Sequence, residues 1–185
     1  PMVQSAMEVV SGSEIGNCTI VKLELEQIEP GSLLLEMHYI LEPTTASRGL
    51  ARRYLPPTTI RVVVDQQGND HHTTLSADSV NQGASRIKSD MATQVVRHYQ
   101  TILRQLAQFG EQRASPQLPL LQQLALNRAQ RELESEAARL RAMQAFNPNV
   151  REEEIQFFEQ QWQQLQQTIS QAKPRLDSVR VIITT

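Results

Sequence analysis

A heptad-like apolar repeat near the end of the chain is the feature that most constrains the fold. Its members recur at alternating steps of three and four residues: Ile155, Phe158, Trp162, Leu165, Ile169 and Ala172. This spacing is typical of a coiled-coil seam, in which one stripe of a helix packs against a neighbouring helix. The sequence therefore predicts a long amphipathic helix that needs a matching helix beside it.

The preceding segment, from about Leu118 to Ala145, supplies that neighbour. Its matching stripe is Leu126, Ala129, Leu133, Ala137 and Leu140. Pro148 disfavours helical angles at the residue before it, and Asn149 with Glu152 fits a capping box for a new helix. With only three residues expected between the helices, the pair should be an antiparallel hairpin.

An earlier helical pattern begins near residue 78. Apolar residues at helical spacing predict one stripe: Ile87, Met91, Val95, Tyr99, Ile102, Leu106 and Phe109. We expect Gly110 and the proline-containing segment 115–119 to interrupt this helix, since proline does not fit a helix interior.

The strands are predicted from alternation of apolar and polar residues. A strand around 21–26, the turn 29–32 and a more central return strand over 33–41 form a predicted hairpin. A loop over 43–57 and a third strand near 59–65 follow. The final segment, 175–185, alternates as a strand and can bury its apolar face only by returning to the sheet.

These patterns predict an α+β fold. It has an antiparallel or mixed sheet of about four strands, with a long antiparallel helical hairpin or three-helix array inserted before the last strand. We interpret residues 1–185 as a single accessory domain. Its parts are a mainly β segment (1–75), a helical segment (76–173) and a closing strand (174–185).

The residues that could carry chemistry favour structural roles. His71 and His72 lie in a polar turn with no second ligand pair nearby, so a metal site is disfavoured. His38 lies in an apolar strand, and Cys18 has no basic neighbour to activate it. No glycine-rich phosphate loop or hydrolase motif is present. We therefore predict no catalytic, cofactor-binding or metal-binding residue.

One cluster could meet a partner. Arg48, Arg52 and Arg53 lie next to Tyr54, which combines positive charge, stacking and bidentate hydrogen bonding. They are the candidate contact residues for a protein or nucleic acid. The alternative is that these arginines pair with the protein's own carboxylates while Tyr54 and Leu55 enter the core. The net charge of −2 disfavours a general phosphate-binding surface.

Four segments give the chain a family resemblance. They are "GSEIGNCTI" (12–20), "RRYLPPTTIRVVVDQQGN" (52–69), "LRAMQAFNPNVREEEI" (140–155) and "RLDSVRVIITT" (175–185). In this order they resemble the C-terminal domain of the bacterial RNA polymerase-associated RapA family, which are Swi/Snf-type ATPases of the helicase superfamily. The resemblance covers essentially the whole chain.

The resemblance implies a bacterial, cytoplasmic protein that binds core RNA polymerase and promotes its recycling with ATP hydrolysis. This piece would be a non-catalytic domain that contacts the motor lobes of the same protein. ATP, magnesium and DNA would be bound by the parent protein, and no membrane contact is expected. The alternative is a free-standing interaction module whose hairpin seam pairs with another helical protein or with a second copy of itself. The two differ in whether the reading frame continues far upstream of Pro1.

Overall fold

The computed structural model describes residues 18–26, 28–43 and 48–185, with the backbone alone for Arg48 and Ser89. The architecture is α+β, as predicted. In chain order its elements are β1 (Cys18–Leu23), β2 (Leu33–Glu42), α1 (Arg48–Tyr54), β3 (Thr58–Val64), α2 (Ala77–Gly83), β4 (Ser85–Arg86), α3 (Ser89–His98), α4 (Gln100–Ala114), α5 (Gln117–Gln144), α6 (Glu152–Ser170) and β5 (Lys173–Thr184).

The strands of the described chain form one five-stranded mixed sheet in the order β3-β2-β5-β1-β4. β5 runs parallel to β1, with Cys18 opposite Val179 and Leu23 opposite Thr184. The predicted return of the last segment to the sheet is confirmed, and β2 is an internal strand as expected. The predicted hairpin between β1 and β2 is wrong because β5 lies between them. Parallel pairing needs a long crossover, which the chain between β1 and β5 provides.

The described residues divide into two compact units. Unit 1 takes those within 18–40, 59–117 and 175–185, and unit 2 takes those within 41–58 and 118–174. Unit 1 therefore holds most of the sheet together with α2, α3 and α4. Unit 2 holds α1 and the helical hairpin. The single domain predicted over 1–185 stays a prediction.

In unit 1, α4 runs past Gly110, so the predicted interruption at this glycine is wrong. A Cβ atom built at Gly110 would lie 1.7 Å from Cε of Met37, whose side chain is fully buried. The glycine therefore allows helix and strand to approach closely. α4 ends at Ala114, and Ser115 and Pro116 form a turn before α5 begins at Gln117, although Ser115 keeps helical dihedral angles (φ −54°, ψ −41°). The interruption expected within 115–119 is therefore confined to these two residues.

The single helical stripe predicted from Ile87 to Phe109 is also wrong. The chain breaks at Tyr99 into α3 and α4, with φ −101° and ψ 17° at that residue. Met91 on α3 is exposed, whereas α4 buries Leu103 and Leu106. Periodicity alone did not show this break because the spacing of apolar residues is similar on both sides of it.

In unit 2 the predicted antiparallel hairpin is present. Clusters of contacting side chains join Ala137 and Leu140 to Ile155 at one end, and Ala125 and Ala129 to Ile169 at the other. The connection between α5 and α6 spans residues 145–151, which is longer than predicted. Pro119 lies in the first turn of α5, where a proline is tolerated.

The predicted N-cap of α6 at Asn149 is wrong. The N-cap is Arg151, and no side chain caps the helix. Instead Asn147 Oδ1 accepts a hydrogen bond from the Asn149 backbone N–H (3.0 Å), which shapes the turn. Val150 is buried against the hairpin core, so the chain needs two further residues before the helix begins.

Candidate functional site

The predicted arginine cluster lies on α1, within the segment predicted to be a loop; that prediction is wrong for residues 48–54. The helix forms because Ala51, Tyr54 and Leu55 fall on one face at helical spacing and are all buried in the core of unit 2. This face orients the arginines that follow Ala51. Only the backbone of Arg48 is described, at the first position of α1.

Both described arginines meet carboxylates of unit 2. Arg52 Nη2 donates to Glu42 Oε2 at 2.8 Å, and Arg53 Nη2 donates to Glu132 Oε1. The Arg53 guanidinium also lies 5.6 Å from the centroid of the Tyr54 ring. The two described arginines thus pair with the protein's own carboxylates, and Tyr54 and Leu55 enter the core, as the alternative interpretation of this cluster stated. A contact with another molecule through them stays a prediction.

The Tyr54 side chain contributes packing more than chemistry. Burial and the neighbouring Glu132 carboxylate raise the pKa of its hydroxyl, while the Arg53 charge acts in the opposite direction. The phenol is therefore neutral at ordinary pH. Arg53 keeps 63% of its side chain exposed, so an incoming group could still reach it.

The seam residues of α6 differ in burial. Ile155, Leu165 and Ile169 are almost fully buried against α5, whereas Phe158 and Trp162 are only partly buried. The seam therefore packs within the chain. Its three buried members are not available to pair with another helical protein, as the alternative of a free-standing module supposed.

Gln122 of α5 fixes the far end of the hairpin. Its side-chain amide donates to the backbone carbonyls of Ile169 (3.1 Å), Ser170 (3.3 Å) and Ala172 (3.0 Å). The last carbonyls of a helix have no partner within the helix, so this amide satisfies the end of α6. The sequence showed Gln122 only as one glutamine among many.

A buried charged ladder on the sheet of unit 1 escaped sequence analysis. Glu36 on β2 is 1% exposed and accepts a hydrogen bond from Arg61 Nε of β3 at 2.6 Å. Arg180 Nη1 of β5 lies 3.3 Å from the other Glu36 oxygen. Arg61 also donates to the carbonyls of His72 and Leu75, which ties the following loop to the sheet. The sequence does show charged residues within three apolar strands. Which of these residues lie side by side depends on the order of the strands in the sheet, which the sequence did not show.

His38 lies beside this ladder. Its Nδ1 is 3.2 Å from Ser178 Oγ, and its Nε2 is 3.7 Å from Glu36 Oε1. Burial and the two arginine charges lower the pKa of His38, against the opposing effect of the Glu36 and Asp177 carboxylates. The imidazole is therefore neutral at pH 7, packed and hydrogen-bonded as the sequence predicted.

The other candidate side chains have local partners. The Asp65 carboxylate accepts hydrogen bonds from the backbone N–H groups of Gln67 and Asn69 and contacts His71 Nε2 at 2.8 Å. Burial raises the pKa of the Cys18 thiol to about 11, so it is protonated and unreactive at neutral pH. In the part of the chain that the structure describes, no group of three or more His, Cys, Asp or Glu residues could hold a metal. Nor is any described helix long and apolar enough to cross a membrane.

Together these features define a class: an α+β domain with a five-stranded mixed sheet, in which an antiparallel pair of long helices belongs to a separate compact unit. The chain matches the family described as "RNA polymerase recycling family C-terminal" over residues 1–184. It is 32% identical over 183 residues to the RNA polymerase-associated protein RapA of Vibrio cholerae serotype O1 (strain M66-2). It is equally identical to RapA of Vibrio vulnificus (strain CMCP6). Each alignment covers 99% of this chain and 19% of the relative.

The chain therefore belongs to the RapA C-terminal family, as the resemblance predicted. It spans about a fifth of the length of the curated relatives that it matches.

Proposed function

We propose that this chain is the non-catalytic C-terminal domain of a RapA-like, ATP-dependent protein that associates with RNA polymerase and promotes its recycling. The observation that carries the proposal is the family match over residues 1–184, at a length that corresponds to 19% of RapA relatives. The relatives are named as RNA polymerase-associated, and the family is described by polymerase recycling.

The ATPase chemistry belongs to the rest of the parent protein in this proposal. No glycine-rich loop that could bind phosphates is present in the chain, which supports this assignment. ATP, magnesium and DNA would thus be bound by the motor lobes, in the bacterial cytoplasm. This domain would support the motor and take part in the contact with core polymerase.

A binding titration of the 185-residue chain with bacterial core RNA polymerase tests the association. We expect saturable binding that weakens from low to moderate salt, because charged surfaces on both proteins take part. Arg52→Gln with Arg53→Gln tests the predicted contact on α1. Glutamine keeps much of the side-chain length and avoids placing two new carboxylates opposite Glu42 and Glu132. Absence of binding at about 50 μM chain would overturn a direct contact by this domain.

The recycling role needs a functional assay. In multiple-round transcription, we expect a RapA relative that lacks the region aligned to this chain to yield fewer transcripts per polymerase than the intact protein. Equal yields from the two proteins would contradict a role of this domain in recycling. The first round of transcription serves as the control, since it requires no recycling.

A further inference from the structure

The end of the helical hairpin exposes large apolar side chains. Phe146 in the turn is 92% exposed, Phe157 on α6 is 54% exposed and Met143 on α5 is 42% exposed. We call these three residues the hairpin tip. Single exposed apolar residues are normal on protein surfaces. Here three large ones fall within the last turn of α5, the connection and the first two turns of α6, which is an unusual concentration along the chain.

The turn that carries the tip is well held. The backbone N–H groups of Phe146 and Asn147 both donate to the Met143 carbonyl, at 3.0 and 2.9 Å. Val150 is buried among Ala137, Leu140 and Ile155, which anchors the chain between the two helices. A phenylalanine on a pre-ordered turn loses less conformational entropy on binding than one on a free loop.

A groove beside the tip adds charge to this apolar surface. Leu140, Val150 and Phe158 line it together with Phe157, and Glu152, Glu153 and Glu154 stand at its edge. Arg139 and Arg151 also border the groove. The Arg139 guanidinium already pairs with Glu136 at 2.8 Å, so the three glutamates still outnumber the one remaining cation. The positive end of the α6 dipole accounts for glutamates at a helix start. It does not account for exposed phenylalanines next to them.

We propose that the hairpin tip docks in an apolar pocket of core RNA polymerase that is rimmed by lysine or arginine side chains. The inference rests on the proposed function and names its contact surface. Aromatic side chains seated in a pocket and surrounded by complementary charge are the usual centres of binding energy in protein interfaces. The tip meets this description better than α1, whose two described arginines already pair with carboxylates of the chain.

The experiment compares the tip with another pair of largely exposed apolar residues on the same hairpin. The tip variant is Phe146→Ser with Phe157→Ser. The control is Leu120→Ser with Leu124→Ser on α5, since these leucines are 62% and 58% exposed. Binding of each 185-residue variant to core RNA polymerase is titrated at two salt concentrations. Thermal unfolding of each variant is recorded, and we expect midpoints close to that of the unchanged chain because the replaced side chains are largely outside the core.

We expect the tip variant to weaken binding by at least about tenfold, and the leucine control by less than about twofold. A second variant, Glu153→Lys with Glu154→Lys, should weaken binding several-fold at low salt and much less at moderate salt. It keeps the proposal testable if the phenylalanine variant fails to fold.

Equal binding by the tip variant and the unchanged chain would overturn the tip contact and leave the proposed function standing. An equal loss in the leucine control would also overturn it, since apolar exposure in general would then be responsible. If the unchanged chain does not bind polymerase, direct contact by this domain fails and the tip contact fails with it. Tip-dependent self-association that polymerase does not displace would assign the surface to a second copy of the chain and overturn the proposal.

Discussion

The two compact units of this chain bury their apolar side chains in different ways. Unit 1 encloses large side chains of β2 on both faces of a sheet, so that Leu34, Met37 and Tyr39 are at most 1% exposed. Unit 2 joins two long helices through a narrow stripe with several alanines, and it leaves Trp162 partly exposed. When both faces of a sheet are covered, nearly all side chains of an internal strand are buried. A two-helix hairpin buries only one stripe of side chains on each helix. Of the six large apolar side chains that are exposed in the described residues, five belong to unit 2 and only Met91 belongs to unit 1.

The largest effect should come from the buried ladder of unit 1. Replacing Glu36 by glutamine removes the carboxylate that compensates Arg61 and Arg180, and we expect a loss of about 3–5 kcal/mol in the free energy of unfolding. Urea unfolding measures it. Glu24→Gln, at an exposed position, is the control and should change stability by less than about 0.5 kcal/mol. Similar losses in the free energy of unfolding for both variants would show that the buried Glu36 carboxylate contributes no more to the stability of unit 1 than an exposed one.

Within unit 2, burial should rank the seam residues more strongly than their size. Leu165→Ala removes a side chain that is 1% exposed, and we expect a cost of about 2–5 kcal/mol. Trp162 is larger but only partly buried, so Trp162→Ala should cost about 1–2 kcal/mol, less than a buried tryptophan would. Urea unfolding of both variants tests this order. A greater loss for Trp162 would mean that its packing, and not the narrow stripe, stabilises the hairpin.

Because of the Asp65 carboxylate, part of the stability of unit 1 should be lost as the pH falls. Burial tends to raise the pKa of Asp65, but hydrogen bonds from His71, Asn69 and Gln67 outweigh it and lower the pKa overall. The stability that this carboxylate contributes is present above its unfolded pKa of about 3.9 and is lost as the pH falls through the lower folded value. Asp65→Asn should cost about 1–3 kcal/mol at pH 7 because buried donors lose a charged acceptor.

Unfolding of both proteins between pH 7 and pH 2 measures this effect. The difference in stability between the unchanged chain and Asp65→Asn should shrink as the pH falls below about 4. A constant difference over the whole range would show that the carboxylate charge has no part in it. Glu26→Gln, at an exposed position, is the control for the loss of one carboxylate.

The smallest effect should come from the arginines of α1. Arg53 and Glu132 are 63% and 38% exposed, and ion pairs of this kind contribute about 0–1 kcal/mol. We expect Arg53→Gln to change the free energy of unfolding by no more than that, and to lose its effect in high salt. A much larger cost would indicate that the contact of Arg53 with the Tyr54 ring also holds α1 in place.

The helical hairpin shows how much of the fold the local sequence pattern could predict. The heptad spacing from Ile155 to Ala172 and the matching stripe on α5 correctly predicted two antiparallel helices. Details of the turn were missed because they depend on the burial of Val150 and on the Asn147 side chain. Of the candidate contact residues, the sequence singled out the arginines beside Tyr54. It drew no attention to Phe146, whose exposure becomes evident only once the helices are in place.

The sequence by itself determined the α+β class, the helical hairpin, the closing strand and membership in the RapA C-terminal family. The fold class, hairpin and strand follow from periodicity and proline positions, which depend on interactions between residues close together in the chain. The family follows from sequence motifs alone. Only the tertiary structure decided that β5 separates β1 from β2, that Gly110 lies inside a helix and that Glu36 is buried between two arginines. Each of these depends on contacts between residues far apart in the chain. Their free energies appear only when the strands and helices have packed together.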